Sequence, residues 1–138
     1  MSTEQNKAVV RRFMSEVLTG RNVGLADELL APNYVNRMMG MDLAGFKAMG
    51  AGLGKGFSDI RFEIENLVAE GDAVVARFTM EGTHTGSLMG EPPSGKKVSA
   101  RGLTYYGLAN GQIVEDDPIT TPNLAELLGI RMPGQPAS

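Results

Sequence analysis

The chain lacks several residue types on which common protein chemistries depend. It has 138 residues, no cysteine, no tryptophan and a single histidine, His84. Without thiols there can be no disulfide, no thiolate metal site and no cysteine nucleophile. One histidine also excludes a multi-histidine metal centre. We therefore expect no bound metal.

Basic charge and long apolar runs are scarce as well. The formal net charge is −3, whereas nucleic-acid binding needs a basic surface. No stretch approaches the ~18 apolar residues of a membrane helix. The first seven residues are polar and lack the apolar core of a secretory signal. These features predict a cytoplasmic protein with neither a nucleic-acid nor a membrane partner.

The residues that are present indicate one packed domain. Hydrophobic residues make up 42% of the chain, which suits a single core at this length. Nine methionines serve either as ordinary core filler or as the lining of a loosely shaped pocket, because methionine fills irregular apolar space. We predict one domain over residues 1–130 and a loose tail over 131–138.

Hydrophobic periodicity predicts three N-terminal helices. Apolar residues recur at three- and four-residue spacing over 9–18 and end before Gly20. Ser2 or Thr3 can cap the start of this helix, and Ser2 with Gln5 has the spacing of a capping box. A second helix is predicted over 23–30, stopped by Pro32. A third, over 42–53, is weakened by its glycines.

From Ser58 the apolar period changes from near 3.6 to 2, which predicts strands. Asn110-Gly111 is a strong hairpin signal, and Thr121-Pro122 can begin a last helix carrying Leu124, Leu127 and Leu128. Helices followed by antiparallel strands predict an α+β domain. The predicted extended segments are 33–37, 58–65, 73–85, 98–108 and 112–117.

Three stretches resemble the SnoaL-like polyketide cyclases, also called predicted ester cyclases, of the nuclear-transport-factor-2-like superfamily. They cover 9–36, 82–96 and 111–129, and the most specific is Gly-Thr-His-Thr-Gly followed by Met-Gly-Glu-Pro-Pro-Ser-Gly-Lys in the central stretch. The resemblance implies a cone-shaped barrel, a cystatin-like α+β roll in which helices pack on a strongly curved antiparallel or mixed sheet. It also implies cofactor-free chemistry and a homodimer or homotetramer formed through the outer sheet face.

The resemblance further implies where the chemistry lies. Known cyclases of this type close a ring by intramolecular aldol condensation, and relatives carry out cofactor-independent hydroxylation. An aspartate after the last strand acts as general acid and base. A one-residue gap places Asp117 on that aspartate and Asp116 on a neighbouring histidine of the family. The family's strand histidine falls near Thr104.

Asp116 and Asp117 are the first candidates for catalysis. Adjacent residues of a strand point to opposite faces, so only one can enter a cavity. Asp117 shares the parity of Ile113 and Glu115, which favours Asp117 for the interior. An apolar pocket would raise its pKa toward neutrality, as proton abstraction from a carbon acid requires. The alternative is that both carboxylates only solvate a strand end.

His84 ends the apolar face of its strand, which predicts a position at the rim of the cavity. The ordinary pKa of histidine suits acid–base work or a substrate hydrogen bond. The alternative is a structural imidazole bonded to a backbone carbonyl.

Several further residues are candidates for binding substrate. Tyr34 and Asn36 have equal parity and could donate hydrogen bonds to substrate oxygens, or could only satisfy a loop. Tyr106 shares a strand face with Gly102 and Thr104, and the sequence leaves open whether this face or the opposite one is interior. Apolar candidates for contact with a hydrophobic small molecule are Phe13, Phe78 and Met80.

The sequence is compatible with three functions. The first is acid–base chemistry on a hydrophobic carbonyl compound, and the second is a non-catalytic binding module with the same fold. A strongly raised pKa of a buried aspartate would favour the enzyme, and a solvated pair would favour the binder. The third is a limonene-type epoxide hydrolase, for which Arg101 and one aspartate supply part of the required Asp-Arg-Asp triad.

Overall fold

Three helices pack on a six-stranded sheet in a computed structural model, which describes residues 2–20, 22–87, 92–122 and 126 without the side chains of 50–54. The α+β class is confirmed. The elements are α1 (Thr3–Arg12), α2 (Ala26–Leu29), β1 (Leu30–Asn36), β2 (Met41–Asp42), α3 (Leu43–Gly56), β3 (Arg61–Glu70), β4 (Ala73–Thr83), β5 (Lys97–Ala109) and β6 (Gln112–Thr121).

The sheet is mixed and remains open. Its strand order is β2-β1-β6-β5-β4-β3, so β2 and β3 form the two edges. All neighbouring strands are antiparallel except β1 and β6, which run parallel. The predicted barrel is thus an open sheet whose inner face is covered by helices. None of the described helices is long and apolar enough to cross a membrane.

The first helix begins as its sequence predicts. Ser2 Oγ accepts a hydrogen bond from the Gln5 amide at 3.1 Å, and Gln5 Oε1 accepts one from the Ser2 amide at 2.9 Å. Beyond α1 the helix continues as a π-helical segment, Phe13–Thr19. The predicted apolar stripe faces the sheet and is buried at Val10, Phe13, Met14 and Val17.

The second helix is shorter than predicted. A 3-10 turn over Val23–Leu25 leads into α2, and Leu30 already belongs to β1. Leu30 pairs with Ile113 of β6, so sheet pairing overrides the local helical pattern. The register of β1 on β6 shifts between Leu30 and Val35, and exposed Pro32 lies in this irregular part, where proline is tolerated.

Two strands run further than their periodicity indicates. A bulge between Ile64 and Asn66 breaks the alternation of β3, which continues to Glu70. β6 continues from the predicted end at 117 to Thr121. The hairpin signal is confirmed, with positive φ at both Asn110 and Gly111. Of the predicted last helix (124–128) the structure describes residue 126 alone, and the predicted tail (131–138) lies outside the described residues.

The core lies between the helices and the inner face of the sheet. Its largest fully buried aromatic side chains are Tyr34, Tyr106, Phe13 and Phe57. Gly102 marks a close approach of β5 to β6, because a Cβ there would collide with the Ile119 carbonyl oxygen. This tight pairing holds the middle of the two strands together at the level of the site described below.

Candidate active site

The inward-facing side chains of β6 change parity at Val114. Ile113 pairs with Leu108 and Glu115 pairs with Gly107, so Val114 is an extra residue on β6. Such a β-bulge changes which residues face the core. Asp116 is therefore buried and Asp117 is exposed. The expectation that Asp117 faces the interior is wrong, because it assumed that side chains alternate without interruption from Ile113 onward.

An apolar cavity of about 140 Å³ opens beside Asp116. Helical residues close one side of the cavity, and β4, β5 and β6 form its floor. Its polar side chains are Asn36, Thr104, Tyr106, Asp116 and Thr120, and Asp116 is the one carboxylate among them. The remaining lining residues are Met14, Leu18, Met38, Met39, Phe46, Met49, Phe62, Phe78, Met80 and Pro118.

Asp116 is a buried carboxyl with one satisfied oxygen. Tyr34 Oη donates a hydrogen bond to Oδ2 at 3.2 Å, whereas Oδ1 is buried and has no partner among the described residues. Burial raises the pKa of Asp116 to about 7; the Tyr34 hydrogen bond opposes this rise and the charge of Asp117 adds to it. The group can therefore gain or lose a proton near neutral pH.

The parallel pairing of β1 with β6 brings Tyr34 to Asp116. Asn36 lies opposite Asp116 in the register, and the Arg37 amide donates a hydrogen bond to the Asp116 carbonyl at 2.8 Å. The guanidinium of Arg37 also lies 2.8 Å from Glu115 Oε2. Tyr34 and Asn36 share the inner face, as equal parity predicts.

Tyr34 and Asn36 are less available to a ligand than the sequence suggests. Tyr34 lies behind the residues that line the cavity. Its phenol donates a hydrogen bond to Asp116 instead of to a substrate oxygen. Asn36 does line the cavity, but its Oδ1 accepts a hydrogen bond from the Met39 amide at 3.1 Å. The two residues do lie on one face, as predicted, but the hydrogen-bond partners of both are groups of the protein itself.

Four candidates for substrate contact have an aromatic ring or a thioether, and three of them line the cavity while the fourth lies in the core. Phe78, Met80 and Tyr106 line the cavity. Phe13 lies behind it and packs edge-on against Tyr106 with ring centroids 5.9 Å apart. On β5 the face of Thr104 and Tyr106 is interior, and the opposite face is exposed. Burial, and then the charge of Asp116, raise the pKa of Tyr106.

His84 lies away from the cavity. It follows Met80 by four residues, about 13 Å along an extended chain. Phe57 packs against the His84 ring with centroids 5.6 Å apart, and His84 Nδ1 lies 3.1 Å from Ser94 Oγ. The His84 backbone exchanges hydrogen bonds with Gly95 and Lys96. The expected rim position is therefore wrong, and the contacts are those of a side chain that fixes residues 94–96, just before β5.

Comparisons with known proteins place this site in a family. The profile of the SnoaL-like polyketide cyclases matches residues 8–120. The chain belongs to this family. Among curated proteins, none matches the sequence significantly. Many solved structures do match, and the family's nuclear-transport-factor-2-like cone is the fold seen here.

Three solved structures illustrate the likeness. A provisional SnoaL-like polyketide cyclase from Jannaschia sp. CCS1 is 24% identical, covers 94% of this chain and 95% of its own, and has a TM-score of 0.80. A provisional polyketide cyclase from Acidithiobacillus ferrooxidans is 27% identical over 95% and 100%, with a TM-score of 0.77. AclR from Streptomyces galilaeus, provisionally a hydroxylase, is 25% identical over 93% and 98%, with a TM-score of 0.78.

Several lining residues of this SnoaL-like chain had only weak signals in its sequence. Met14 and Leu18 belong to the apolar stripe of the first helix, so their inward direction was predictable. Thr104 shares the parity of Tyr106, but the sequence did not decide which face of that strand is interior. Met38 and Met39 lie in a turn without periodicity. Their placement depends on the pairing of β1 with β2, which no local pattern reveals.

Proposed function

We propose that this SnoaL-like protein is a cofactor-independent acid–base enzyme acting on a hydrophobic carbonyl compound, with Asp116 as the group that moves the proton. Aldol cyclisation is the reaction that the family name favours. Isomerisation would start from the same enolate, and hydroxylation would start from it with molecular oxygen as the oxidant. Asp116 thus replaces Asp117 as the proposed catalytic residue.

The observation that carries this proposal is the state of the Asp116 carboxyl. It is buried, its Oδ1 lacks a partner among the described residues, and its pKa is raised to about 7 beside an apolar cavity. A general base works best when its pKa lies near the working pH. A module that only bound an apolar ligand would gain nothing from a costly buried carboxylate, so this feature favours the enzyme over the binder.

The proposed reaction uses one group as both base and acid. The Asp116 carboxylate removes a proton from the carbon next to the substrate carbonyl and leaves an enolate. The enolate carbon then attacks a second carbonyl of the same molecule and forms the new carbon–carbon bond. The resulting alkoxide takes the proton back from Asp116, so the carboxylate is regenerated. Thr104 and Tyr106 line the cavity and supply hydroxyl donors for the enolate oxygen.

The related structures support this class of reaction. The proteins from Jannaschia and Acidithiobacillus are described provisionally as polyketide cyclases, and AclR is described provisionally as a hydroxylase. The epoxide-hydrolase alternative is not supported, because it needs Arg101 beside the aspartate. Arg101 is exposed on the outer face of β5 and lines a separate surface groove.

Exchange of carbon-bound protons tests the proposal without the natural substrate. Acetophenone and 2-tetralone are incubated with the protein in D₂O, and loss of the proton signal next to the carbonyl is followed by NMR. We expect the wild-type protein to accelerate exchange for at least one probe. Asp116→Asn should reduce the acceleration about 10²- to 10⁴-fold, because it removes the general base.

Asp117→Asn is the matched control, since it makes the same chemical change one residue away on the exposed face of β6. It should change exchange far less than Asp116→Asn does, because it keeps the base and removes only the charge that adds to the raised pKa of Asp116. Acceleration that survives Asp116→Asn would contradict the assigned base. If the wild-type protein accelerates exchange of neither probe, the proposal of carbon-acid chemistry fails and a binding module becomes the better description.

We also propose that two or four copies associate through the outer sheet face. This face exposes Val68, Leu103, Tyr105 and Ile119, with Ile119 72% exposed. Leu103 and Ile119 are register partners on β5 and β6, so they form one apolar patch. Light scattering should show a dimer or tetramer that Ile119→Lys converts to monomer. A wild-type monomer at high concentration would contradict this proposal.

A further inference from the structure

The two carboxyl oxygens of Asp116 have different surroundings. Oδ2 accepts the hydrogen bond from Tyr34 at 3.2 Å, and Oδ1 is buried without a partner among the described residues. Both Tyr34 and Asp116 are almost fully buried. An unmade hydrogen bond in such a place is costly, so the asymmetry calls for an explanation.

We propose that Tyr34 is a positioning residue that occupies Oδ2 of Asp116 and thereby reserves Oδ1 as the oxygen that exchanges a proton with the ligand. This inference rests on the proposed acid–base function of Asp116. Tyr34 itself lies behind the cavity wall and is not assigned a contact with substrate.

The Tyr34 ring is held in one place by its surroundings. It packs edge-on against Phe46 with ring centroids 5.7 Å apart. Its strand is fixed to β6 by the hydrogen bond between the Arg37 amide and the Asp116 carbonyl. The donor and the acceptor are therefore carried by two paired strands, and the phenol cannot leave Oδ2 without a change in the core.

The Tyr34 phenol also remains a donor over the working range of pH. Burial, followed by the charge of Asp116, raises the pKa of Tyr34 well above its ordinary value. The side chain of Asn36 hydrogen-bonds the same phenol. An amide NH₂ can only donate, so Tyr34 accepts from Asn36 and directs its own proton to Asp116.

The hydrogen bond from Tyr34 determines which oxygen of Asp116 carries the exchanged proton. While Oδ2 accepts from Tyr34, a proton taken from the substrate is placed on Oδ1, and the same oxygen returns it. The other titratable groups that act on the site are Tyr106 on β5, whose pKa Asp116 raises, and Asp117 on β6, whose charge raises the pKa of Asp116.

Tyr34→Phe tests the inference because it removes the hydroxyl and keeps the ring. The titration of Asp116 is followed by the ¹³C shift of its carboxyl carbon. We expect the midpoint to rise by about one pH unit or more, since a hydrogen bond that favours the charged form is lost. The pH profile of proton exchange should move upward with it. Tyr105→Phe is the matched control, because Tyr105 is exposed on the outer face, and it should move neither curve.

An unchanged midpoint in Tyr34→Phe would overturn the inference, as would an equal rise in Tyr105→Phe. A second measurement covers the case in which Tyr34→Phe does not fold. The chain has three tyrosines, so Tyr105→Phe combined with Tyr106→Phe leaves Tyr34 as the only site for 3-fluorotyrosine. This more acidic phenol is a stronger donor, so it should lower the Asp116 midpoint relative to the same double variant with ordinary tyrosine. No change between the two would again overturn the inference.

The two proposals fail in different ways. If Asp116→Asn abolishes exchange but Tyr34→Phe leaves the Asp116 midpoint and the exchange profile unmoved, the acid–base function stands and the role of Tyr34 falls. If the midpoint moves in Tyr34→Phe while the wild-type protein accelerates no exchange, the positioning contact is real but the proposed function is wrong, and Tyr34 then has no catalytic oxygen to reserve.

Discussion

Asp116 and His84 are both buried polar side chains with one unpartnered atom among the described residues, Asp116 Oδ1 and His84 Nε2. Asp116 lines an apolar cavity, and a neighbouring phenol holds its other oxygen. His84 is covered by Phe57 and tied to the loop before β5. Burial of a polar group alone therefore does not define a site. Space for a ligand next to the reactive atom distinguishes the two regions.

Phe57→Ala gives the largest expected change in stability, and it tests whether the His84 region is independent of the cavity. Phe57 is 1% exposed and packs against the His84 ring, and a Cβ on Gly82 would meet its side chain at 3.4 Å. Its truncation should lower the free energy of unfolding by about 3–5 kcal/mol, as measured by chemical denaturation.

The Asp116 titration should stay unchanged in the same variant at a temperature where it is folded. A shift of that titration would contradict the separation of the two regions. A small loss of stability would contradict the packing role of Phe57.

Asp116→Asn should stabilise the protein at alkaline pH, in contrast with the usual effect of a core substitution. The folded-state pKa of Asp116, about 7, lies above its ordinary value of 3.8. The folded protein therefore binds more protons between these values, and this group makes stability fall as pH rises from about 4 to 7. Above pH 7 the amide should raise the free energy of unfolding by about 2–4 kcal/mol.

Denaturation curves at pH 4, 6 and 8 check this prediction. The gain should be absent at pH 4, where the native carboxyl is already neutral, and complete at pH 8. Asp117→Asn, on the exposed face, should give no comparable trend. A destabilised Asp116→Asn at pH 8 would show that the buried charge is better compensated than its contacts indicate.

Ser94→Ala has the smallest expected effect on stability, and it tests the structural role of His84. Ser94 Oγ lies 3.1 Å from His84 Nδ1 and accepts a hydrogen bond from the Lys96 amide at 3.2 Å. Because Ser94 is exposed, its loss should cost only about 0.5–1 kcal/mol of unfolding free energy.

Ser99→Ala, at an exposed position of β5, is the control and should cost less. Proton exchange should be unaffected by either change. A loss of exchange in Ser94→Ala would assign the His84 region to the chemistry and remove the contrast with Asp116.

Much of the fold could be predicted from local patterns. The capping box at Ser2, the helical stripe through Val17 and the Asn110-Gly111 turn are all present where their signals lie. These features depend on interactions between residues close in sequence. Leu30 shows the limit, because its neighbours favour a helix while its pairing with Ile113 places it in a strand.

The candidate site was predictable only to within one residue. The sequence by itself determined the α+β class, the absence of thiol chemistry and the presence of two adjacent aspartates near the end of the last strand, because these follow from composition and periodicity. Only the tertiary structure decided that Asp116 faces the cavity, that Tyr34 holds it and that His84 lies elsewhere. The physical reason is that the bulge at Val114 and the parallel pairing of β1 with β6, which brings Tyr34 to Asp116 from 82 residues away, are properties of the sheet. No local pattern of residues encodes them.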